Sequence, residues 1–242
     1  MLVEVCSNSL ESAQSAEKGG ADRIELCAEL EVGGVTPSYG TLKQVLKSLS
    51  IAVFVLIRPR SGNFTYSDAE FEVMRQDIMW CKEIGCKGIV SGVLNKDNTL
   101  DQERTRELIQ LSGPLSFTFH RAFDWVNDPE KTLKMLIDMG CTRVLTSGQQ
   151  PTAYKGIKTL NSLHKQYGNQ ITIMPGGGIN EDNITAFKDA GFSEIHFSAS
   201  EPIQELYASI PLAFNANLYD ERYVRKTNAT KVSEFVSLVK KN

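Results

Sequence analysis

The chain has 242 residues, 41% of them apolar and 23% charged, with a net charge of −3. That is long enough for one sizeable core, and the mild acidity offers no general attraction to nucleic acid or to an anionic membrane. The longest apolar run, from Ile51 to Ile57, is seven residues, far short of the roughly 20 that a bilayer helix needs.

In chain order, short apolar strands alternate with amphipathic helices. Strands are predicted over residues 2–6, 23–27, 52–58, 88–91, 115–120, 142–146, 171–174 and 194–198. Between them the helical period is plain: Leu42, Val45, Leu46 and Leu49 share one face, as do Phe71, Met74, Ile78 and Cys81, and finally Val232, Phe235, Val236 and Val239. Ser67 with Glu70 forms a capping-box pattern, and Asp128 before Pro129 marks another helix start. Ser38 and Asn180 are further N-cap candidates, and Gly19, Gly85, Gly140 and Gly191 suit left-handed helix ends.

Eight βα units of about 30 residues each point to a parallel α/β fold. The count favours a single (β/α)8 TIM barrel over an open sheet, and residues 1–242 are expected to form one domain. Residues 199–228 break the rhythm with no strong period and read as an irregular region, either a lid, an extra short helix or an interface.

Barrels of this kind carry their chemistry where strands end and βα loops begin. The strand ends here hold Glu4 and Cys6, Glu25 and Cys27, Arg58 and Arg60, then His120, Arg121 and Asp124, and finally the loop Gly176, Gly177, Gly178 with His196 and Ser198. Alternation along "VEVC" and "RIELC" turns Glu4, Cys6, Arg23, Glu25 and Cys27 inward. Buried carboxylates need partners, for which Arg23, Arg58 and Arg60 are the candidates. An internal ion-pair layer and a catalytic role are both consistent with that arrangement. The five cysteines lack any C-x-x-C spacing and are expected to be thiols.

The blocks "EVCSNSLESAQSAEKGGADRIELCAELEVGGVTPS", "VLIRPRSGNFTYSDAE", "TFHRAFD", "RVLTSG" and "IMPGGGI" resemble the signature blocks of the CutC family. The resemblance runs from the first strand to about Ser198, and it departs from the family at "RPRSGNF", where Asn63 replaces an acidic residue. It implies a TIM barrel, a cytoplasmic homo-oligomer such as a dimer, and Cu(I) bound at Cys6 and Cys27. The chemistry agrees, because a cuprous ion is soft and prefers thiolate, and adjacent strands are ~4.8 Å apart. Plain packing of two small buried thiols is the competing reading. No leader of the secretory kind is legible at the N-terminus, in keeping with a cytoplasmic expectation.

The alternative is a barrel enzyme of unstated reaction on a small phosphorylated or carboxylated metabolite. Gly176, Gly177, Gly178 and Ser198 lie where such barrels often hold a phosphate, with a helix start expected at Asn180. Glu4, Glu25, Arg58, His120 and Asp124 would supply the acid–base and charge-stabilising groups. A module that binds a metabolite without chemistry is a third reading.

Overall fold

The computed structural model describes residues 1–213 and 220–241. Eight parallel strands, β1 (Leu2–Ser7), β2 (Arg23–Leu26), β3 (Ala52–Leu56), β4 (Gly88–Ser91), β5 (Ser116–Phe119), β6 (Arg143–Thr146), β7 (Thr172–Pro175) and β8 (Glu194–Phe197), lie side by side in sequence order, with β8 returning to pair with β1. The sheet is a nearly closed (β/α)8 barrel. Its seam between β7 and β8 is joined by a bridge from Gly176 to His196.

Helices α1 (Leu10–Lys18), α2 (Tyr39–Ser48), α3 (Asp68–Glu83), α4 (Gln102–Ser112), α5 (Pro129–Asp138), α6 (Ile157–Tyr167), α7 (Ile184–Asp189) and α8 (Ala229–Lys240) follow the strands. Their starts are built locally. The Ser67 hydroxyl accepts from Glu70 N–H while the Glu70 carboxylate accepts from Ser67 N–H, and Asp128 caps α5 ahead of Pro129. Ser38 caps α2 as expected. Asn180 does not begin a helix: its side chain accepts from Asp182 N–H in a turn, and α7 starts only at Ile184. Gly85, Gly140 and Gly191 take the left-handed conformation, but at the first helix end Gly20 does so and not Gly19. Gly19 is required for a different reason, since a Cβ there would lie 2.5 Å from Val232 Cβ, where α8 crosses α1.

Alternation sorts each strand into two faces. Val3, Val5, Ile24, Leu26, Val53, Val55 and Ile57 pack outward in one core with the helices. Cys6, Cys27, Phe54, Leu56 and Val90 form a separate apolar cluster inside the barrel. Beneath it lies a layer of ion pairs: Arg23 donates to Glu4 and, at 2.6 Å, to Glu194, while Arg143 grips Glu194 with two bonds of 2.5 and 2.9 Å. Both guanidinium groups stack on the Phe54 ring, 4.4 and 5.3 Å from its centroid. Gly88 admits that ring, because a Cβ there would meet it at 2.5 Å.

The expected irregular stretch after the eighth strand is instead an antiparallel ribbon, at least at its two ends. β9 (Ser200–Gln204) pairs with β10 (Tyr223–Thr227). Both strands are largely exposed, so neither buries a face that would impose alternation on its sequence. Thr227 N–H donates to the Ser12 hydroxyl, Asn8 donates to Arg225 O, and Arg225 pairs with Glu31, which pins the ribbon against the end of β1 and α1. Residues 214–219 of that stretch lie outside the described residues. Among the described residues no helix is long and apolar enough to cross a membrane.

Candidate functional site

A cavity of about 720 Å³ opens at the C-terminal mouth of the barrel, the end where strands feed into the βα loops. Cys6, Glu25 and His196 lie at its base, carried by β1, β2 and β8. Their donor atoms lie within 4.8 Å of one another. Cys6 Sγ is 3.8 Å from Glu25 Oε1 and 3.6 Å from Cys27 Sγ, with Cys27 just outside β2 and almost wholly covered. The inward parity of the two strands therefore brings together the carboxylate and thiol pair expected from "VEVC" and "RIELC".

His196 enters from the far end of the chain. Its Nδ1 is 2.8 Å from Glu4 Oε1, so Glu4 binds Arg23 with one oxygen and His196 with the other. Gly176 lets the chain pass between Leu145 and His196, since a Cβ there would sit 2.5 Å from Leu145 Cδ1 and 3.3 Å from His196 Cβ.

Electrostatics divide the two glutamates. Burial would raise the Glu4 pKa, but Arg23 and His196 beside it prevail and hold it at about 2. Burial dominates at Glu25 and pushes it up to about 7. Burial opposes a charge on His196, yet its contacts with Cys6 and Glu4 outweigh that and hold its pKa well above the ordinary imidazole value. The neighbouring Cys27 thiol, then burial, raises Cys6. The base of the cavity thus holds a neutral thiol, a carboxyl that titrates near neutrality and an imidazolium, above a fixed carboxylate.

The remaining predicted residues are spread around the wall. Arg58 ends in the mouth but pairs with neither Glu4 nor Glu25; it donates to the carbonyls of Val32, Gly34 and Gly62 at 2.7–2.9 Å. Arg60 points away to Glu70. The partners that pattern reading missed are Arg143 and Glu194, each at the foot of a strand and facing in. His120 lines the cavity; its Nδ1 accepts from Ala122 N–H at 3.3 Å, and burial, then Arg58, depresses its pKa to about 3. Asp124 is consumed by the loop after β6, accepting from Thr146 and Gln149 and from both the amide and hydroxyl of Ser147, as well as from Arg121. Gly177, Gly178 and Ser198 line the rim, both glycines with positive φ, whereas the Gly176 backbone closes the barrel. With α7 starting at Ile184, Asn180 supplies no helix N-terminus there. Asn63, the departure in the second block, accepts from Arg60 and from Thr65 N–H and orders its own loop.

Fold and site together define a parallel (β/α)8 barrel with sulfur, imidazole and carboxyl donors gathered at the base of an open mouth. The sequence pattern of the CutC family matches residues 1–201. Relatives extend this over almost the whole chain: a human "copper homeostasis protein cutC homolog" is 44% identical over 99% of this chain and 89% of its own, and a CutC family protein of Salmonella typhimurium is 41% identical over 98% and 97%. The crystal structure of CutC from Streptococcus agalactiae, 35% identical, superposes with a TM-score of 0.76 over 81% of this chain and 97% of that one. The chain belongs to the CutC family. A thiamine phosphate pyrophosphorylase from Pyrococcus furiosus, 16% identical, shares the fold alone, with a TM-score of 0.59 over 98% of this chain and 95% of that one.

Proposed function

We infer that this protein binds Cu(I) in a reducing cytoplasm, with Cys6 and Cys27 as ligands and His196 and Glu25 beside them. The observation that carries this reading is the 3.6 Å separation of the two sulfurs. A metal–thiolate bond is ~2.3 Å, so 3.6 Å lies inside the ~4.6 Å that two such bonds can span. The two thiols fit a soft ion, with the His196 ring and the Glu25 carboxyl, whose Oε2 is buried and without a partner, close beside Cys6. Bound copper would supply a soft Lewis acid at the base of the cavity. Both thiols must lose a proton on binding; Glu25, near neutrality, can accept one, and the other would leave to solvent through the open mouth. The copper homeostasis named for the human relative agrees with this use, and a homodimer is part of the same reading.

The test is an anaerobic Cu(I) titration against a competing chelator. Cys6→Ser and Cys27→Ser are each expected to abolish stoichiometric uptake. Uptake that survives in the double variant would reject these ligands.

A second reading rests on a different observation, the Glu25 carboxyl raised to about 7 beside a cavity of metabolite size. An acid–base enzyme acting on a small phosphorylated or carboxylated metabolite would use such a group. Proton exchange into candidate metabolites, followed by NMR, should vanish in Glu25→Gln; no exchange with any substrate in the unaltered protein argues against it.

A further inference from the structure

Among the described residues, the arginines inside the barrel and at its rim pair with carboxylates, with one exception. Arg23 and Arg143 share Glu4 and Glu194, and Arg121 pairs with Asp124. Arg58 is 5% exposed, and among the described residues no carboxylate lies within ion-pair distance of it. Three backbone carbonyls hold its terminal nitrogens, while its Nε is buried without a hydrogen bond of ordinary geometry; the neutral Tyr66 hydroxyl nearby brings no countercharge. Carbonyl dipoles fix the guanidinium in place but carry no net charge to cancel it, and an uncompensated buried charge is costly.

His120 adds an independent observation. It too is 5% exposed, and because its Nδ1 accepts from Ala122 N–H, the neutral ring carries its proton on Nε2. That Nε2 is buried and has no partner. Both residues line the same cavity, and the Phe64 ring packs against both, 5.1 Å from the Arg58 guanidinium carbon and 4.9 Å from the imidazole. Much of the surrounding wall is apolar, including Leu30, Leu56, Leu145 and Ile179. A cation lacking its counter-ion and a hydrogen-bond donor lacking its acceptor thus share a largely apolar chamber. Its volume of about 720 Å³ is that of an ordinary small-molecule pocket.

We propose that the cavity takes a small organic anion, a carboxylate or phosphate monoester with a short apolar body, and that Arg58 supplies the countercharge that selects it, with His120 Nε2 as donor. This rests on the second reading's ligand class and deepens it by naming the selecting group, the donor and the apolar body, and it requires neither copper nor turnover.

The experiment uses the full chain, kept metal-free with a cuprous chelator, and reads the melting temperature. Hexanoate, benzoate and phenyl phosphate are compared with the neutral hexanamide, benzamide and phenol, and with acetate and inorganic phosphate, which are head groups lacking a body. At least one of the three bodied anions should raise Tm by about 3–6 °C at ten times its Kd. Its neutral counterpart should do nothing, and its bare head group should bind at least tenfold more weakly. Which of the carboxylates or the phosphate wins names the head group. Arg58→Met should abolish the shift and Arg58→Lys should retain part of it. Arg58→Met also frees three carbonyls, so the charged-against-neutral comparison on the unaltered chain decides the matter even where that variant fails to fold. Equal shifts from the neutral counterparts, a folded Arg58→Met that binds as tightly as the parent, or no shift from any anion would each overturn the proposal. Binding without turnover would leave it standing and count against the second reading alone.

Discussion

Cys6 Sγ and Cys27 Sγ stand 3.6 Å apart inside the barrel, 21 positions apart in the chain. A disulfide would hold them at about 2.05 Å, so both are thiols, and they are not equivalent. Cys6 is 6% exposed and lines the cavity, while Cys27, just past the end of β2, is 1% exposed and does not line it. Iodoacetamide is expected to modify Cys6 first and Cys27 only on unfolding, as read by peptide mass spectrometry. The Cys6 rate should fall far below that of a free cysteine, because the Cys27 thiol and burial disfavour its thiolate. Equal labelling of the two would contradict this account of the site.

Glu4 joins two cations with no exposure to solvent, binding Arg23 and His196. Removing it takes the carboxylate from His196 and leaves Arg23 with Glu194 alone, so Glu4→Ala should cost about 3 kcal/mol in urea unfolding. The pH dependence has a definite sign. Its folded pKa, about 2, lies below the ordinary value of 4.5, so its contribution is complete above about pH 4.5 and is lost as pH falls towards 2. Acid titration of the wild type should therefore be steep in that window and shallower in Glu4→Ala.

Glu25 behaves in the opposite sense. Burial raises its folded pKa to about 7, so its contribution to stability is present below pH 4.5 and is lost as pH rises through 7. Glu25→Gln removes that titration. The variant should gain stability relative to the parent between pH 5 and pH 8, as measured by denaturant unfolding at the two values. A constant difference across that range would show that burial does not govern this carboxyl.

Gly34 controls the Cys27 thiol through backbone geometry. Its φ is +84°, and a Cβ would lie 2.7 Å from Leu56 Cδ2 and 3.2 Å from Cys27 Cβ. Gly34→Ala should destabilise the fold by about 1–3 kcal/mol and weaken Cu(I) binding by displacing Cys27. A variant as stable as the parent, with unchanged affinity, would show that this turn adapts freely.

Much of the architecture was legible beforehand because it follows from local rules. A period of two along β1 and β2 turned Glu4, Cys6, Arg23 and Glu25 inward, and caps such as Ser67 with Glu70 were visible as short patterns. The ribbon at Ser200–Gln204 and Tyr223–Thr227 was not, since strands exposed on both faces carry no alternation to read. Nor was the late start of α7, because a polar turn at Asn180 resembles a cap until its hydrogen bonds are seen.

The composition of the site divides along the same line. Pairing of neighbouring strands is a nearest-neighbour matter, so the thiols and the Glu4–Arg23 pair could be anticipated from the first 27 residues. His196, 192 positions from Glu4, reaches it only because the eighth strand closes against the first. The same closure brings Glu194 to Arg23 and Arg143. Arg58 is the converse case: strand order put it near two glutamates on paper, but the turn through Gly33 and Gly34 captured its guanidinium with carbonyls and left its charge unmatched. Alternation acts over two residues and is written in the text of the chain, whereas ring closure and the choice among competing partners depend on distances that exist only once all eight strands are in place.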